Sequence, residues 1–497
     1  MKRTLSIPKR RLLAALTLLL TLSGGTGCTV FGDYNVATEE PRRAFLSGNF
    51  DAAVKGYSEE LDAVNDSLLY RLEAAMAAHV GKSYRESFQL FDVAYKRVVE
   101  YQDRALMDAA NIAQQVGRIV VNEKTVPYTG EIFEQVLLQA YQAKNVYLSG
   151  ERDGVITEAL RCYDIIKKAR RIYEEELRVT QERAEQEQQD APFDAEDVRA
   201  KMRKAYAYQD KLKDPEDVYD LRYVRFLVAW LRDAVADRQA DYNSALIDMK
   251  FVADRFGEVD FVRRDLARLT GLSGDPEGAQ QLYQQYGLKP VPRDWGSVAL
   301  FFEAGTAPKK RQFKMIFPTA TGAAAFAMPI YEPTPNPVAG AVLHVGNQQA
   351  ETLVMTDLEQ VAYRYHNDRL PLMIARQIIR LALKIAVQEG GRAALQNNAD
   401  GWAALAWTVS ASVWNVVSEQ ADLRCWRTLP HTLQATRLYL PAGDYPLKVS
   451  LIGAGGGTLG THELGTIRIA PGRHRMINAR SLGRALHSDV PQEDYDG

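Results

Sequence analysis

The stretch "GNFDAAVKGYSEEL" (Gly48–Leu61) returns in pattern as "KSYRESFQLFDVAY" (Lys82–Tyr95). At a shift of 34 residues Phe50 meets Tyr84, Ala53 meets Ser87, Val54 meets Phe88 and Tyr57 meets Phe91. Aromatic and small residues recurring at that distance predict stacked pairs of antiparallel helices. The small residue lies where two helices cross, and the aromatic fills the gap to the next pair. Ala74, Ala75, Ala77 and Ala78 supply the close crossing between the two units.

The same idea recurs downstream. "AYQAKNVYLSGERDGVITEALRCY" (Ala140–Tyr163) has Gly150 at a turn and Ala159 on the following helix, and Asp275 and Ala279 fall 34 residues after Asp241 and Ala245. The period is the tetratricopeptide (TPR) one. The expectation is a TPR-like α-solenoid over residues 40–288, about four or five helix pairs, with a concave face suited to extended peptides or partner helices. Within it "YEEELRVTQERAEQEQQD" (Tyr173–Asp190) reads as a helix with too thin an apolar stripe to be buried, and "DAPFD" breaks it, so a charged excursion, either a solvated helical extension or a mobile segment, is expected near 173–215. Tyr219, Tyr223, Phe226, Leu227, Trp230 and Leu231 then put the chain back on a packed helix.

Composition changes at "KPVPRDWG" (Lys289–Gly296), after which prolines cluster and short β-rich runs alternate with glycine turns. Residues 289–481 read as an α+β domain with antiparallel sheet and a helical pair inserted near 359–418, and residues 482–497 as a disordered acidic tail. The fold class expected is therefore multidomain: an all-α solenoid followed by an α+β domain.

At the other end, Lys2, Arg3, Lys9, Arg10 and Arg11 precede a charge-free run from Leu12 to Leu22. That is the layout of a secretory signal, too short to span a bilayer as a mature helix. Gly25, Thr26, Gly27 and Cys28 follow. They resemble a bacterial lipobox, with Gly25 where leucine is usual. The resemblance implies a signal peptide over 1–27, acylation of Cys28 and a linker over 28–39. Thr29, standing where an aspartate would signal inner-membrane retention, implies an outer-membrane anchor facing the periplasm. Plain cleavage near Gly27 would instead give a soluble periplasmic protein.

With 46% hydrophobic and 25% charged residues in 497, the composition is that of a globular protein, and a net charge of -2 gives no reason to expect nucleic acid as a partner. Three cysteines cannot form a disulfide framework, and Cys162 and Cys425 read as separately buried thiols. Gly455, Gly457 and Gly460 satisfy a dinucleotide-binding spacing but precede a strand, which makes them a hairpin loop. His462 beside Glu463 lacks the second histidine of a zinc helix. No cofactor, metal or catalytic residue is expected.

Two groups remain as candidate sites. In "EQADLRCWRTLP" (Glu419–Pro430), Asp422 with Arg424 or Arg427 beside Trp426 reads as a charge-assisted clasp pinning helices to the β-layer, or as a site for an anionic partner. Arg376, Arg380 and Lys384 recur every four residues as one basic face, ahead of the uncharged helix Gly401–Ser418 with its three tryptophans. These runs, with "YTGEIFEQVLLQAYQAKNVYLSGERDGVITEALR", "EAGTAPKK" and "RLYLPAGDYPLKV", resemble a family of uncharacterised bacterial envelope lipoproteins that join TPR-like helices to a strand-rich domain. The resemblance implies architecture and address without a reaction. The function expected is a protein–protein interaction scaffold of the cell envelope, with other envelope proteins or peptides bound through the helices and the membrane held through the lipid. A glycan-binding or hydrolytic protein with its site in the C-terminal domain is the alternative.

Overall fold

A computed structural model of the protein describes residues 34–108, 126–186, 216–319, 322–371 and 420–490, with positions 200, 212, 373, 374 and 377. The signal segment, Cys28, most of the charged excursion, the basic face of Arg376, Arg380 and Lys384, the helix Gly401–Ser418 and residues 491–497 lie outside the described residues.

The helices are α1 (Tyr34–Ala37), α2 (Glu39–Leu46), α3 (Phe50–Ser58), α4 (Ser67–Val80), α5 (Tyr84–Asp108), α6 (Ile132–Leu148), α7 (Arg152–Gln186), α8 (Arg222–Ala234), α9 (Gln239–Phe256), α10 (Asp260–Leu272), α11 (Pro276–Tyr286) and α12 (358–371). The 34-residue offset is reproduced at the first repeat: α3 starts at Phe50 and α5 at Tyr84, and Ala53, Ser87, Tyr57 and Phe91 are all fully buried. Local chemistry sets the ends. Asn49 accepts the amide of Ala52 at 3.3 Å to start α3. Asp275 accepts Gly278 N at 2.8 Å ahead of Pro276 to start α11, and Gly287, left-handed at φ +65°, stops it. Gly150 (φ +85°) turns α6 into α7, as the sequence places it. The alignment of Asp241 with Asp275 is looser than it looks, because Asp241 sits inside α9 while Asp275 caps α11. The linker expected over 28–39 is helical where it is described, through α1 and the start of α2. α7 carries on through Tyr173 to Gln186, so the first part of the expected excursion is a helical extension, the first of the two readings.

The strands are β1 (Gly296–Ala304), β2 (Lys309–Thr319), β3 (Gly322–Glu332), β4 (Val338–Val345), β5 (Gln348–Glu351), β6 (Leu353–Asp357), β7 (Thr432–Leu440), β8 (Gly443–Gly453), β9 (Thr458–Ile469), β10 (His474–Leu482) and β11 (Ala485–Asp489). They form a five-stranded sheet in the order β11-β10-β1-β7-β6, a four-stranded sheet β5-β4-β8-β9, and the hairpin β2-β3. Pairing is antiparallel apart from β1 with β10, which joins the two ends of the strand-rich half. Gly455 and Gly457 lie in the turn between β8 and β9, where the hairpin reading put them. The tail expected to be disordered from residue 482 is not so at its start: β11 pairs with β10, and Asp489 accepts the Tyr84 hydroxyl at 2.8 Å.

β1 is buried along its whole length, and its alternation explains the layering. Val298, Leu300, Phe302 and Ala304 pack with β4, β8 and β9, whereas Ala299 and Phe301 pack with the helices. Phe301 sits against Tyr223, Phe226 and Trp230 of α8 at 5.9, 5.7 and 5.5 Å between ring centres. The molecule is thus mixed α+β, helices over one sheet over a second. Its helical and strand-rich parts share one apolar core. The long open trough expected on the helices is, along α4, α6 and α8, covered by β1, β7, β10 and the segment 420–430. Every residue of α6 is buried, Gln139, Gln142, Lys144 and Asn145 included.

Candidate functional site

The covering segment 420–430 runs as an irregular strap over the helices, turning at 427–429, and two buried carboxylates hold its main chain. Glu73 of α4 accepts the amides of Arg427 (2.8 Å) and Thr428 (3.0 Å), and Glu134 of α6 accepts that of Trp426 (2.8 Å). Trp426 is fully buried between Phe91 and Tyr141, with its indole N–H on Thr428 Oγ1 at 3.0 Å. Arg424 grips Asp422 through Nε (2.9 Å) and Nη2 (2.7 Å), reaches Asp66 of the helical half at 2.8 Å, and lies over the Tyr128 ring. The clasp therefore forms between Asp422 and Arg424. Arg427 bonds elsewhere, to Asn35 at 3.2 Å. Cys425 is buried in the strap and Cys162 in α7, both as free thiols.

Beside the strap, where the start of α6, the hairpin β2-β3 and α12 converge, lies a cavity of about 530 Å³. Asp422 and Arg424 line one side of it. Glu131, just ahead of α6, is its electrostatic centre, taking Lys310 of β2 in a very short contact and Arg369 of α12 at 3.4 Å. Burial alone would raise the Glu131 carboxyl, but these two cations outweigh it and hold the group below the usual carboxylate value. His366 is driven down to about 3 by burial and by Lys310, so it stands neutral.

Glu131 and Glu134 have the opposed titration expected of an acid and base pair, since Glu134 is pushed up by burial and by Glu131. The geometry assigns Glu134 another role. Its oxygens accept Trp426 N, Glu131 N at 2.9 Å and the Tyr128 hydroxyl, which leaves it a fastener of main chain.

A second polar cluster joins α8 and α10 to the sheet. Asp233 takes Arg437 at 2.8 Å and Arg268 in a very short contact, and Asp265 takes Arg437 at 3.1 Å and Tyr439 at 2.7 Å. Ser297 Oγ stands 2.8 Å from His474 Nδ1, whose Nε2 is 3.5 Å from Asp233, the residue types of a nucleophile, base and acid. Ser297 is fully buried and accepts Arg437 Nε at 2.9 Å, and burial holds His474 well below its usual pKa. This cluster locks two layers together.

Sequence reasoning singled out Asp422, Arg424, Trp426 and Arg427, and the basic cluster of "FEAGTAPKKRQF" (Phe302–Phe313) that holds Lys310, and missed Glu73, Glu131, Glu134 and Arg369. For Glu134 the one local signal is that α6 is apolar on every face yet carries polar residues, which marks a helix buried all round; Glu73, Lys310 and Arg369 lie on α4, β2 and α12. Among the described residues no helix is long and apolar enough to cross a membrane, and no cluster of three metal-ligating side chains occurs. Comparison with protein-family models, curated proteins and solved structures finds no match to this chain. Fold and site thus define a mixed α+β protein with a cavity at the seam between its helices and its sheets.

Proposed function

We propose that the protein is a lipid-anchored component of the bacterial envelope, tied through Cys28 to the periplasmic face of the outer membrane, and that it acts as a binding scaffold. In this reading the helix pairs are TPR-like. Their inner face is spent on the protein's own strap and sheet, so the contact with an envelope partner falls at the seam. The observation that carries the reading is the cavity of about 530 Å³ framed jointly by α6, β2-β3, α12 and the strap, because sites for external ligands concentrate where parts of a fold meet. The signal-like leader and the lipobox resemblance support the address. The roles of Glu134 and Ser297 as fasteners favour binding over hydrolysis.

Photo-crosslinking in intact envelopes tests this. A photoreactive residue at the exposed rim position Thr129 should capture a partner, while one at Lys448 on β8, far from the seam, should not. Equal capture from both positions, or from neither, would remove the reading. Separately, Cys28→Ser should move the protein from the membrane to the washable fraction, and a native protein already released by washing would remove the anchor.

A further inference from the structure

We infer that the seam cavity takes an amphiphile with one apolar chain and one anionic head group; this rests on the binding reading above and names its ligand class. A volume of about 530 Å³ falls within the roughly 300–1,000 Å³ of small-molecule sites. The outer wall is apolar. Tyr101, Ala105, Val126, Pro127, Ile172 and Met373 line the cavity, and each is at least partly exposed to solvent. An apolar chain laid along that wall removes both surfaces from water, which is the favourable direction of transfer.

The deeper wall is polar and already satisfied from within. Tyr128, Tyr331 and Tyr365 are buried, and Arg424, Lys310 and Arg369 lie over their rings at 5.5, 5.4 and 4.9 Å from the ring centres. These cations are met by carboxylates in turn. Lys310 meets Glu131, Arg369 meets Glu131 and Glu176 at 3.4 Å each, and Arg424 meets Asp422 and Asp66 at 2.7 and 2.8 Å. A strongly polar ligand would have to displace these contacts to make its own. A chain on the outer wall leaves them intact.

One charge is left over. Arg104 of α5 lines the cavity with its side chain 68% exposed, and the carboxylate it contacts, Glu100, is 3.9 Å away and exposed as well. A solvated pair at that distance binds its arginine weakly. Within the lining, Arg104 and the three buried cations face the three carboxylates Glu131, Glu176 and Asp422, with His366 neutral. The excess is one positive charge, and Arg104 carries it at the solvent side beside Ala105 of the apolar wall. A single anionic head answers Arg104 while its chain turns inward, and a polyanion finds no second cation to spare.

The test uses the full chain carrying Cys28→Ser, purified from the washable fraction so that no detergent competes. Calorimetric titration with octanoate, decanoate and laurate at neutral pH should show affinity rising about fourfold per added methylene. Dodecyltrimethylammonium, with the chain length of laurate and the opposite charge, should bind about tenfold more weakly than laurate. Arg104→Gln, a change at an exposed position, should weaken laurate about threefold and narrow the gap between the two probes. Ala105→Trp, which fills the outer wall, should abolish binding, and Lys448→Ala should leave it unchanged. Should Ala105→Trp disturb folding, Arg104→Gln with the oppositely charged probe still decides. Affinity independent of chain length, equal binding of both charges, or indifference to both cavity variants would overturn the inference. Capture of a partner from Thr129 with no laurate binding would overturn it and leave the binding reading standing, whereas absence of both would overturn both.

Discussion

Lys144 of α6 and Glu303 of β1 form an ion pair at 2.7 Å with both side chains fully buried, 159 residues apart in the chain. Arg480 of β10 shares Glu303 at 3.1 Å, and the Tyr223 hydroxyl lies 3.2 Å from Lys144. Helices and sheet are therefore joined by charge inside the core as well as by apolar packing.

Removing one partner of such a pair strands the other in a medium that solvates it poorly. Lys144→Met is expected to destabilise the protein by about 3–5 kcal/mol. Lys144→Met with Glu303→Gln should cost clearly less than the two single changes added, which denaturant titration of all three variants measures. Strict additivity would show that the pair is not coupled.

Acid should attack the same place. Burial alone would raise the Glu303 carboxyl, but Lys144 and Arg480 outweigh it and bring it down to about 2 from an ordinary 4.5. A group whose pKa is lower folded than unfolded stabilises the fold above its unfolded value and loses that contribution as pH falls through the folded one. About 3 kcal/mol should disappear between pH 4.5 and 2, and the Glu303→Gln variant should lack that part of the acid transition.

Glu134 has the opposite sign. Burial and Glu131 lift it from 4.5 to about 7, so the unfolded chain releases this proton first. Stability should decline as pH rises from about 4.5 to 7 and level off above. Urea midpoints across that range should show the decline in the native protein and not in Glu134→Gln, and a decline persisting in the variant would assign it to another group.

The strap depends on Glu73. Glu73→Ala leaves the amides of Arg427 and Thr428 buried without acceptors, at about 1–3 kcal/mol each. Proteolysis should then cut within 420–430 well before the rest of the fold opens. A strap as resistant as in the native protein would mean that the packing of Trp426 alone holds it.

Thiol chemistry reads the anchor. Burial pushes Cys425 up to about 11 and raises Cys162 further, so neither should react with a thiol reagent until the protein unfolds. Native protein extracted from membranes should titrate no free thiol where Cys28 is acylated and one where it is not.

What the amino-acid order settled on its own was local. The spacing of Phe50 and Tyr84 placed two helix starts, Asp275, Pro276 and Gly287 bounded a helix, and the change of composition at Lys289 marked where strands begin. These signals are legible because the interacting groups lie within a few residues of one another. Asp422 with Arg424, two residues apart, was legible for the same reason. Glu73 meeting Thr428 spans 355 residues, and Lys144 meeting Glu303 spans 159. Nothing near a glutamate in a helix says which distant amide it will accept. Whether the inner face of the helices stays open or closes on the strap and sheet was therefore decided only when the layers packed, because burying β1 on both sides requires the helices to cover it.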